Sequence, residues 1–187
     1  MQNTAIKNSV VLLFWLLIEL TTFLILEISR PVSAQTNQNQ GNKANIPTRS
    51  YFGIGGNIGL DGESTALGDG GFSLVGRTAL TKNISLHTST VFGSDSVSAF
   101  ALTLGVPIFK SSNNQLELLY PFVGGGIAVE NIFSDFETDG LVTAGVDVPI
   151  LKRVTATARL NIGFAESDTD VGLLLGVGYN FSIFELF

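Results

Sequence analysis

The residues of this sequence best suited to chemistry are its single histidine and a serine two positions later, in His87-Thr88-Ser89. A serine hydroxyl becomes a nucleophile when a histidine removes its proton and a carboxylate orients that histidine. The next glutamate after the histidine is Glu117, on another predicted strand. The sequence therefore predicts no catalytic residue and no enzymatic activity.

Metal and cofactor sites are not indicated either. The chain has no cysteine, which excludes cysteine-ligated zinc, thiol catalysis and disulfides. The segment Glu166-Ser167-Asp168-Thr169-Asp170 spaces its acids like a calcium loop. However, Val171 stands where that turn requires glycine, and no glutamate closes the loop. We expect no metal and no cofactor.

Four charged or titratable side chains share the polar phase of the predicted strands: Arg77, His87, Asp147 and Arg159. Pairing Leu80 with Ile84 in the hairpin between two of these strands sets Arg77 opposite His87. Charges inside a narrow barrel need partners and hydrogen bonds. The sequence therefore predicts an interior polar network, with a proton or ion path as the alternative.

The composition indicates the kind of element that must position these residues. Hydrophobic residues make up 45% of the 187 and charged residues 14%, against about a quarter charged in soluble domains. Mean hydropathy is +0.38. Beyond the N-terminus there is no run of about 20 apolar residues, which excludes a bundle of transmembrane helices. The net charge of -6 argues against a nucleic-acid partner.

The N-terminal segment differs from the rest of the chain. Residues 1–34 combine Lys7, a long apolar stretch and small residues at Val32-Ser33-Ala34, which predicts a signal peptide cleaved before Gln35. The alternative is an uncleaved membrane anchor, which the acidic Glu19 disfavours. Residues 35–49 are rich in Asn and Gln and predict a flexible leader, so the folded domain is expected to span residues 50–187.

From Ser50 onward the dominant period is two, and eight segments of roughly ten residues alternate apolar and small or polar side chains. This predicts an all-β fold, an eight-stranded antiparallel up-and-down barrel that crosses a membrane. A soluble barrel would show the same period, but its outer face would be rich in Lys and Glu. Here the polar face carries Thr155, Thr157, Asn161, Gly176 and Gly178, small enough for a crowded interior. We therefore expect the apolar face to meet lipid.

Aromatic residues are expected at the two membrane interfaces. The fifth strand, from about Leu119 to Val129, has its aromatics on one phase and its aliphatic residues on the other, and a β-bulge would reconcile them. The outer group is Phe72, Phe92, Phe100 and Phe164, and the inner group is Tyr51, Phe52, Tyr120, Phe122, Tyr179, Phe181, Phe184 and Phe187.

The chain resembles the small outer-membrane β-barrel proteins, the OmpA/OmpX-like porin-family domain. The likeness covers residues 50–187 and rests on the eight alternating segments, the glycine-rich stretch Tyr120-Pro121-Phe122-Val123-Gly124-Gly125-Gly126-Ile127 and the terminal Phe187. The resemblance implies that the last strand is read by the outer-membrane assembly machinery. The residues of this signal would be Tyr179, Phe181, Ile183 and Phe187, and Glu185 departs from the apolar pattern.

The predicted function is that of a monomeric, non-enzymatic outer-membrane barrel of a diderm bacterium with a structural, surface-interaction or narrow-pore role. One alternative is a membrane enzyme similar to the lipid A deacylases, which have a His-x-Ser pair. The other is a soluble secreted barrel that binds an apolar ligand.

The connections predicted to face the cell exterior, 61–70, 92–98, 130–140 and 165–170, hold 11 acidic residues and no basic one. The opposite turns hold Lys82, Lys110, Lys152 and Arg153. A concentrated negative field attracts cations or basic ligands, which we expect as weak partners of the outer loops. The proposed acidic patch consists of Asp61, Glu63, Asp69, Asp135, Glu137, Asp139, Glu166, Asp168 and Asp170.

Overall fold

The structure, a computed structural model, describes residues 50–62, 65–93, 95–112, 115–130, 137–151, 153–165 and 168–181. These residues belong to the unit Pro47–Phe187. The predicted signal peptide (1–34) and leader (35–49) lie outside the described residues. So do Glu63, Asp135, Glu166, Ile183 and Phe187.

The period-two segments form strands, because successive side chains of a strand point to opposite faces of the sheet. They are β1 (Ser50–Asp61), β2 (Gly71–Ala79), β3 (Ile84–Phe92), β4 (Ser96–Gly105), β5 (Ile108–Ser112), β6 (Gln115–Glu130), β7 (Glu137–Leu151), β8 (Val154–Phe164) and β9 (Thr169–Phe181). A short helix, α1 (Ala66–Asp69), lies between β1 and β2. Within these ranges no helix has the length and hydrophobicity needed to cross a membrane.

The strands pair in the order β4-β3-β2-β1-β9-β8-β7-β6, and β4 also pairs with β6, which closes the sheet. β5 continues β4 after the dipeptide Val106-Pro107, since Gly105 pairs with Phe122 and Ile108 with Leu119 in one register along β6. The fold is therefore a closed eight-stranded antiparallel β-barrel, as the sequence predicted. Its fourth strand is interrupted at the proline, which lacks the N–H that a ladder needs.

The apolar face of the barrel points outward. Leu102 and Leu104 are 56% and 64% exposed, whereas Thr103 between them is 1% exposed. This confirms the predicted assignment of the two faces. Other exposed apolar residues include Ile54, Ile58, Leu60, Phe72, Val123, Ile127, Val142, Ile150, Leu160, Phe164, Leu175 and Val177.

The two ends of the barrel differ in the length of their connections. One end, called here the turn end, carries the start of β1 and the turns after β2 and β7. The other, the loop end, carries Gly62 and residues 65–70. At the turn end, Leu80 N donates to Ile84 O at 3.0 Å, and Arg77 pairs with His87. The register predicted for this hairpin is thus confirmed.

The segment between β1 and β2 does not extend away from the barrel as a loop, as the sequence suggested. Thr65 caps α1 by accepting from Leu67 N, and Asn57 Nδ2 donates to Leu67 O at 2.8 Å. Ala66 and Leu67 are buried among inward residues of β3, β4, β6 and β7, in a cluster with Val91, Val97, Ala99, Ala101, Ala128 and Leu141. Helix α1 therefore fills the mouth of the barrel at the loop end.

The bulge predicted in the fifth strand is wrong. β6 pairs with β4 and with β7 in an uninterrupted register. The irregularities lie instead between Gly59 and Asp61 of β1 and between Pro149 and Leu151 of β7. β6 needs no bulge because its aromatic residues Tyr120 and Phe122 point into the barrel, 7% and 5% exposed.

Candidate functional site

The polar side chains predicted inside the barrel come together near its middle. They come from strands distant in sequence: Arg77 from β2, His87 from β3, Asp147 from β7 and Arg159 from β8. Each is at most 7% exposed. Barrel closure, which places the inward residues of opposite walls within reach, brings all four into one group with Tyr51 of β1.

Asp147 is the centre of this group. Its Oδ1 accepts from Tyr51 Oη at 2.8 Å. Its Oδ2 accepts from Arg77 Nη1 at 3.1 Å and lies 3.3 Å from His87 Nε2. One buried carboxylate thus connects three strands on the other side of the barrel, and this satisfies the need of a buried charge for ionic and hydrogen-bond partners.

Arg159 is anchored by four neighbours. Its Nη2 donates to Tyr51 Oη at 2.7 Å and to Gly76 O at 3.0 Å. Its Nη1 donates to Thr88 O at 3.0 Å, and its Nε donates to Thr157 Oγ1 at 3.1 Å. The guanidinium therefore has no direct bond to the carboxylate of Asp147 and reaches it through the hydroxyl of Tyr51.

Arg77 and His87 are also held by aromatic rings. Arg77 lies over Tyr120, with its guanidinium carbon 3.9 Å from the ring centroid. The His87 ring stacks on Phe122 at 4.0 Å. These contacts place the guanidinium and the imidazole each against the flat face of an aromatic ring.

Glycine opposite each inward aromatic provides the necessary room. A Cβ at Gly178 would lie 2.4 Å from the Tyr51 ring, one at Gly105 would lie 2.2 Å from the Tyr120 ring, and one at Gly145 would lie 2.7 Å from Phe122. No side chain larger than hydrogen fits at those distances. The glycine-rich inward face is thus the complement of the three aromatic side chains.

The His87 ring contacts groups other than Ser89, the partner that the sequence suggested. Its Nε2 lies 3.3 Å from Asp147 Oδ2, and its Nδ1 lies 2.8 Å from Thr103 Oγ1, whose hydroxyl donates to Ser85 O at 3.1 Å. The carboxylate that the sequence appeared to lack is supplied across the barrel by Asp147. Both ring nitrogens are then engaged, and neither bonds to Ser89.

Asp147, His87 and Thr103 form a chain of acid, base and hydroxyl like that of a nucleophilic site. All three are at most 2% exposed, and Thr103 faces the filled interior of the barrel. A substrate has no access to this hydroxyl through the described part of the barrel. The arrangement accordingly gives these buried polar groups their hydrogen-bond partners.

From the sequence, three aromatic residues were expected in the aromatic band at the inner membrane interface and not inside the barrel: Tyr51, Tyr120 and Phe122. That assignment is wrong for these three, which are at most 7% exposed. Hydrogen bonding and stacking with the buried charges outweigh the interfacial preference of their rings. Their positions in the period-two pattern, where they alternate with outward-facing residues, could have indicated that they point inward. Tyr179, by contrast, is 51% exposed near the turn end.

The remaining aromatic residues of the two predicted interfacial groups lie partly within and partly outside the described residues. Phe72 and Phe164 are 52% and 50% exposed at the loop end, and Phe72 stacks on Phe92 at 6.3 Å. Phe184 and Phe187 lie outside the described residues. Of the predicted assembly signal, Tyr179 and Phe181 are the last outward residues described in β9.

The acids predicted as an outer patch do not all reach the surface. Asp170 is 1% exposed on β9, so its assignment to an exposed loop is wrong: Gly62 and Gly68 lie against its carboxylate and cover it. Asp61 ends β1, Asp69 lies in α1, and Asp139 begins β7. The exposed members are Asp61, Asp69, Glu137 and Asp168, while Asp139 is half-buried.

Glu130 belongs to the same end of the barrel, although the predicted patch did not include it. It pairs with Glu137 and lies three residues beyond Ile127, which is level with Phe100 in the aromatic band. Partial burial, followed by the negative charge of Asp139, raises the pKa of Glu130 to about 7 from 4.5. Within the described part of the chain, no three acidic or histidine side chains meet in a geometry that could hold a metal ion.

No protein-family model matches the sequence, and no curated protein matches it. Solved structures do. The N-terminal β-barrel domain of Pseudomonas aeruginosa OprF is 18% identical, with 72% of this chain and 98% of that chain covered and a TM-score of 0.50. The Yersinia pestis outer membrane protein Ail in a phospholipid bilayer nanodisc is 18% identical, with 72% and 99% covered and a TM-score of 0.40.

A de novo designed transmembrane β-barrel is 13% identical, with 72% of this chain and 97% of that chain covered and a TM-score of 0.47. At these identities the comparisons show the fold alone, and the conclusion about the fold depends on the OprF domain, whose TM-score is 0.50. The predicted resemblance is therefore confirmed in architecture: this chain has the eight-stranded barrel fold of that domain.

Proposed function

We propose that this chain is an outer-membrane β-barrel protein with a structural or surface-interaction role and no enzymatic activity. The observation that carries the proposal is the outward face of the barrel. This face consists largely of leucine, isoleucine, valine and phenylalanine side chains that are each about half exposed. A contiguous apolar surface of this kind is rare on soluble monomers and is typical of strands that face hydrocarbon.

The interior supports a structural role over transport. Arg159, Tyr51 and Asp147 form a bonded chain across the barrel, and Leu67 closes the loop end with apolar contacts. An eight-stranded barrel has an interior just wide enough for side chains. Permeation through a narrow pore is the less favoured role, since described side chains fill both the middle and the mouth.

The surface part of the proposal concerns the loop end, which faces the cell exterior if β1 starts in the periplasm. Asp61, Asp69, Glu137 and Asp168 are exposed there. We propose weak attraction of cations or basic ligands, with a range of about 8 Å at physiological salt. This is a diffuse electrostatic effect and not a coordinated metal site.

Location is tested by expressing the full chain in a diderm bacterium and separating its membranes. We expect a heat-modifiable band in the outer-membrane fraction and a mature N-terminus at or next to Gln35. Recovery of the folded protein in the soluble periplasmic fraction would contradict the proposal. An intact Met1 would contradict cleavage alone.

Closure and surface attraction need separate measurements. Planar-bilayer recordings of the purified barrel should show at most small currents, and a large steady conductance would refute the closed interior. Polycation binding should weaken with salt and in a Glu137→Gln, Asp139→Asn variant. The matched variant Lys82→Gln, at the turn end, should not weaken it.

A further inference from the structure

The barrel interior contains an apolar chamber at the loop end. The side chain at its centre is Leu67, which is 1% exposed and comes from α1, in the connection between β1 and β2. The chamber is therefore filled by a part of the chain that does not belong to its wall. The wall consists of small or branched apolar side chains that four strands point inward: Val91 of β3, Val97, Ala99 and Ala101 of β4, Ala128 of β6 and Leu141 of β7.

Two glycines on β8 and β9 complete the wall and make room for Leu67. A Cβ at Gly163 of β8 would lie 3.3 Å from Leu67 Cδ1, and a Cβ at Gly172 of β9 would lie 2.6 Å from Leu67 O. Interiors are close-packed, so the shape of a chamber matches the group that it holds. Here the shape is that of a branched alkyl group next to a carbonyl oxygen.

Asn57 of β1 is a polar group of this chamber and is 6% exposed. Its Nδ2 donates to Leu67 O at 2.8 Å and to Ala66 O at 3.3 Å, and these two acceptors determine which of its side-chain atoms is the nitrogen. Its Oδ1 lies 2.7 Å from the position that a Cβ of Gly172 would take. No donor in the described part of the chain bonds to this oxygen. A buried acceptor normally has a donor, and α1 provides none.

The ladder between β1 and β2 does not depend on α1, since it ends at Asn57 and Gly71. Helix α1, Ala66–Asp69, has a single turn, which is too short to be stable by itself. Gly62 and Gly70, on either side of it, have φ of 81° and 87°, a region open to glycine. Connections of this kind open locally at a lower free energy than paired strands.

We propose that the chamber is a binding site for a small branched aliphatic amide, which replaces Leu67 when α1 moves out of the mouth. The alkyl group of the ligand lies among the apolar side chains that now surround Leu67. Its carbonyl oxygen accepts from Asn57 Nδ2, and its N–H donates to Asn57 Oδ1, in two parallel hydrogen bonds. The second bond is one that Leu67 O cannot make. Helix α1 is thus a lid that occupies the site in the absence of ligand, a role beyond the proposed structural one.

The test is methyl NMR of the folded full-length protein in micelles, with two probes of the same shape. Isovaleramide joins the isobutyl group of leucine to a primary amide, and methyl isobutyl ketone has a methyl group in place of the amino group. Isovaleramide should shift the Val91 and Leu141 methyl signals to saturation and expose Leu67. The ketone should bind about tenfold more weakly, because it has no N–H for Asn57 Oδ1. The outward Leu104 measures partition into the micelle and should shift without saturation.

A disulfide tests whether the lid must move. The chain has no cysteine, and a Cβ at Gly93 would lie 3.4 Å from Ala66 Cβ, near the separation of about 3.8 Å found in disulfides. The oxidised Ala66→Cys, Gly93→Cys variant should not bind isovaleramide, and reduction should restore binding. The reduced protein is the matched control, because any displacement of Gly70 O, 2.8 Å from the same Cβ, is common to both forms.

Two pairs of variants test the chamber itself. Asn57→Ala should abolish the preference for the amide, whereas Asn180→Ala, an equally buried asparagine near the turn end, should retain it. Leu67→Ala removes the competing side chain and should strengthen amide binding, whereas Val75→Ala, in a separate apolar cluster with Tyr51, should not. Heat-modifiable mobility verifies that each variant is folded.

Three results would overturn the proposal. The first is equal or tighter binding of the ketone, which would make the chamber an ordinary apolar core. The second is amide binding that the disulfide does not affect, which would place the probe elsewhere. The third is the absence of saturable shifts in both wild type and Leu67→Ala. Each of these would leave the proposed outer-membrane location standing, because membrane fractionation decides that separately.

Discussion

Replacing Asp147 by alanine should strongly destabilise the barrel. The change removes the acceptor of Tyr51 Oη at 2.8 Å, the ionic partner of Arg77 at 3.1 Å and the contact with His87 Nε2 at 3.3 Å. The guanidinium of Arg77 would remain buried without that carboxylate. Removal of one partner from a buried ion pair costs about 3–5 kcal/mol, and we expect a loss of unfolding free energy in this range.

The measurement is urea unfolding in lipid vesicles, followed by circular dichroism and by the gel mobility of the folded form. Tryptophan fluorescence does not serve, because the single tryptophan, Trp15, lies in the predicted signal peptide. The control is Asp95→Ala, an exposed acid at the loop end, which should change stability by less than about 0.5 kcal/mol.

A double variant separates the ion pair from a general defect. Asp147→Asn keeps the side-chain volume but leaves Arg77 without its carboxylate partner. Adding Arg77→Gln then removes that unpaired cation. Residues in one network couple by about 0.5–3 kcal/mol, so the double variant should be more stable than the sum of the two single changes predicts. An Asp147→Ala protein within about 1 kcal/mol of wild type, or strictly additive effects, would refute this account of the interior.

Three further outcomes are expected. Leu160→Arg, in the middle of β8, should lower the free energy of unfolding in vesicles by about 2–4 kcal/mol, whereas Leu104→Arg, next to the end of β4, should lower it by about 0–1 kcal/mol. Equal losses would argue against a lipid-facing surface on which the cost of a charge depends on its depth in the bilayer. Leu67→Ala should cost about 2–5 kcal/mol in the same assay, since Leu67 is 1% exposed inside the mouth, and a neutral effect would mean that α1 contributes little to closure. The pKa of Glu130, raised from 4.5 to about 7, means that the folded state binds more protons than the unfolded state between these values, so stability should fall as pH rises from about 4.5 to 7. Glu130→Gln should reduce that decline in thermal melts at pH 5 and pH 7.5, and an unchanged slope would assign it to other groups.

The number of strands and the assignment of their faces could be predicted from the sequence because both depend on a local period of two. Leu102, Thr103 and Leu104 alternate in the chain and lie outward, inward and outward in the barrel. The same local regularity gave the correct pairing of Arg77 with His87, because a short turn determines the register of its hairpin.

Contacts across the barrel could not be predicted in this way. Asp147 is 60 residues from His87 in sequence, and their meeting depends on how the sheet closes and how far its strands are staggered. Tyr51 was expected at the interface because aromatic rings prefer it. Only the closed structure shows the carboxylate and guanidinium that hold its hydroxyl inside.

The segment after β1 shows the same limit. Its glycines and acids predict an exposed loop, and nothing in its local pattern indicates that Leu67 enters the barrel. The cavity that Leu67 fills is formed by Val91, Ala99 and Leu141, which come from three strands far along the chain. The sequence by itself determined which residues face inward. The tertiary structure decided which of them meet, because closure of the sheet brings opposite walls into contact.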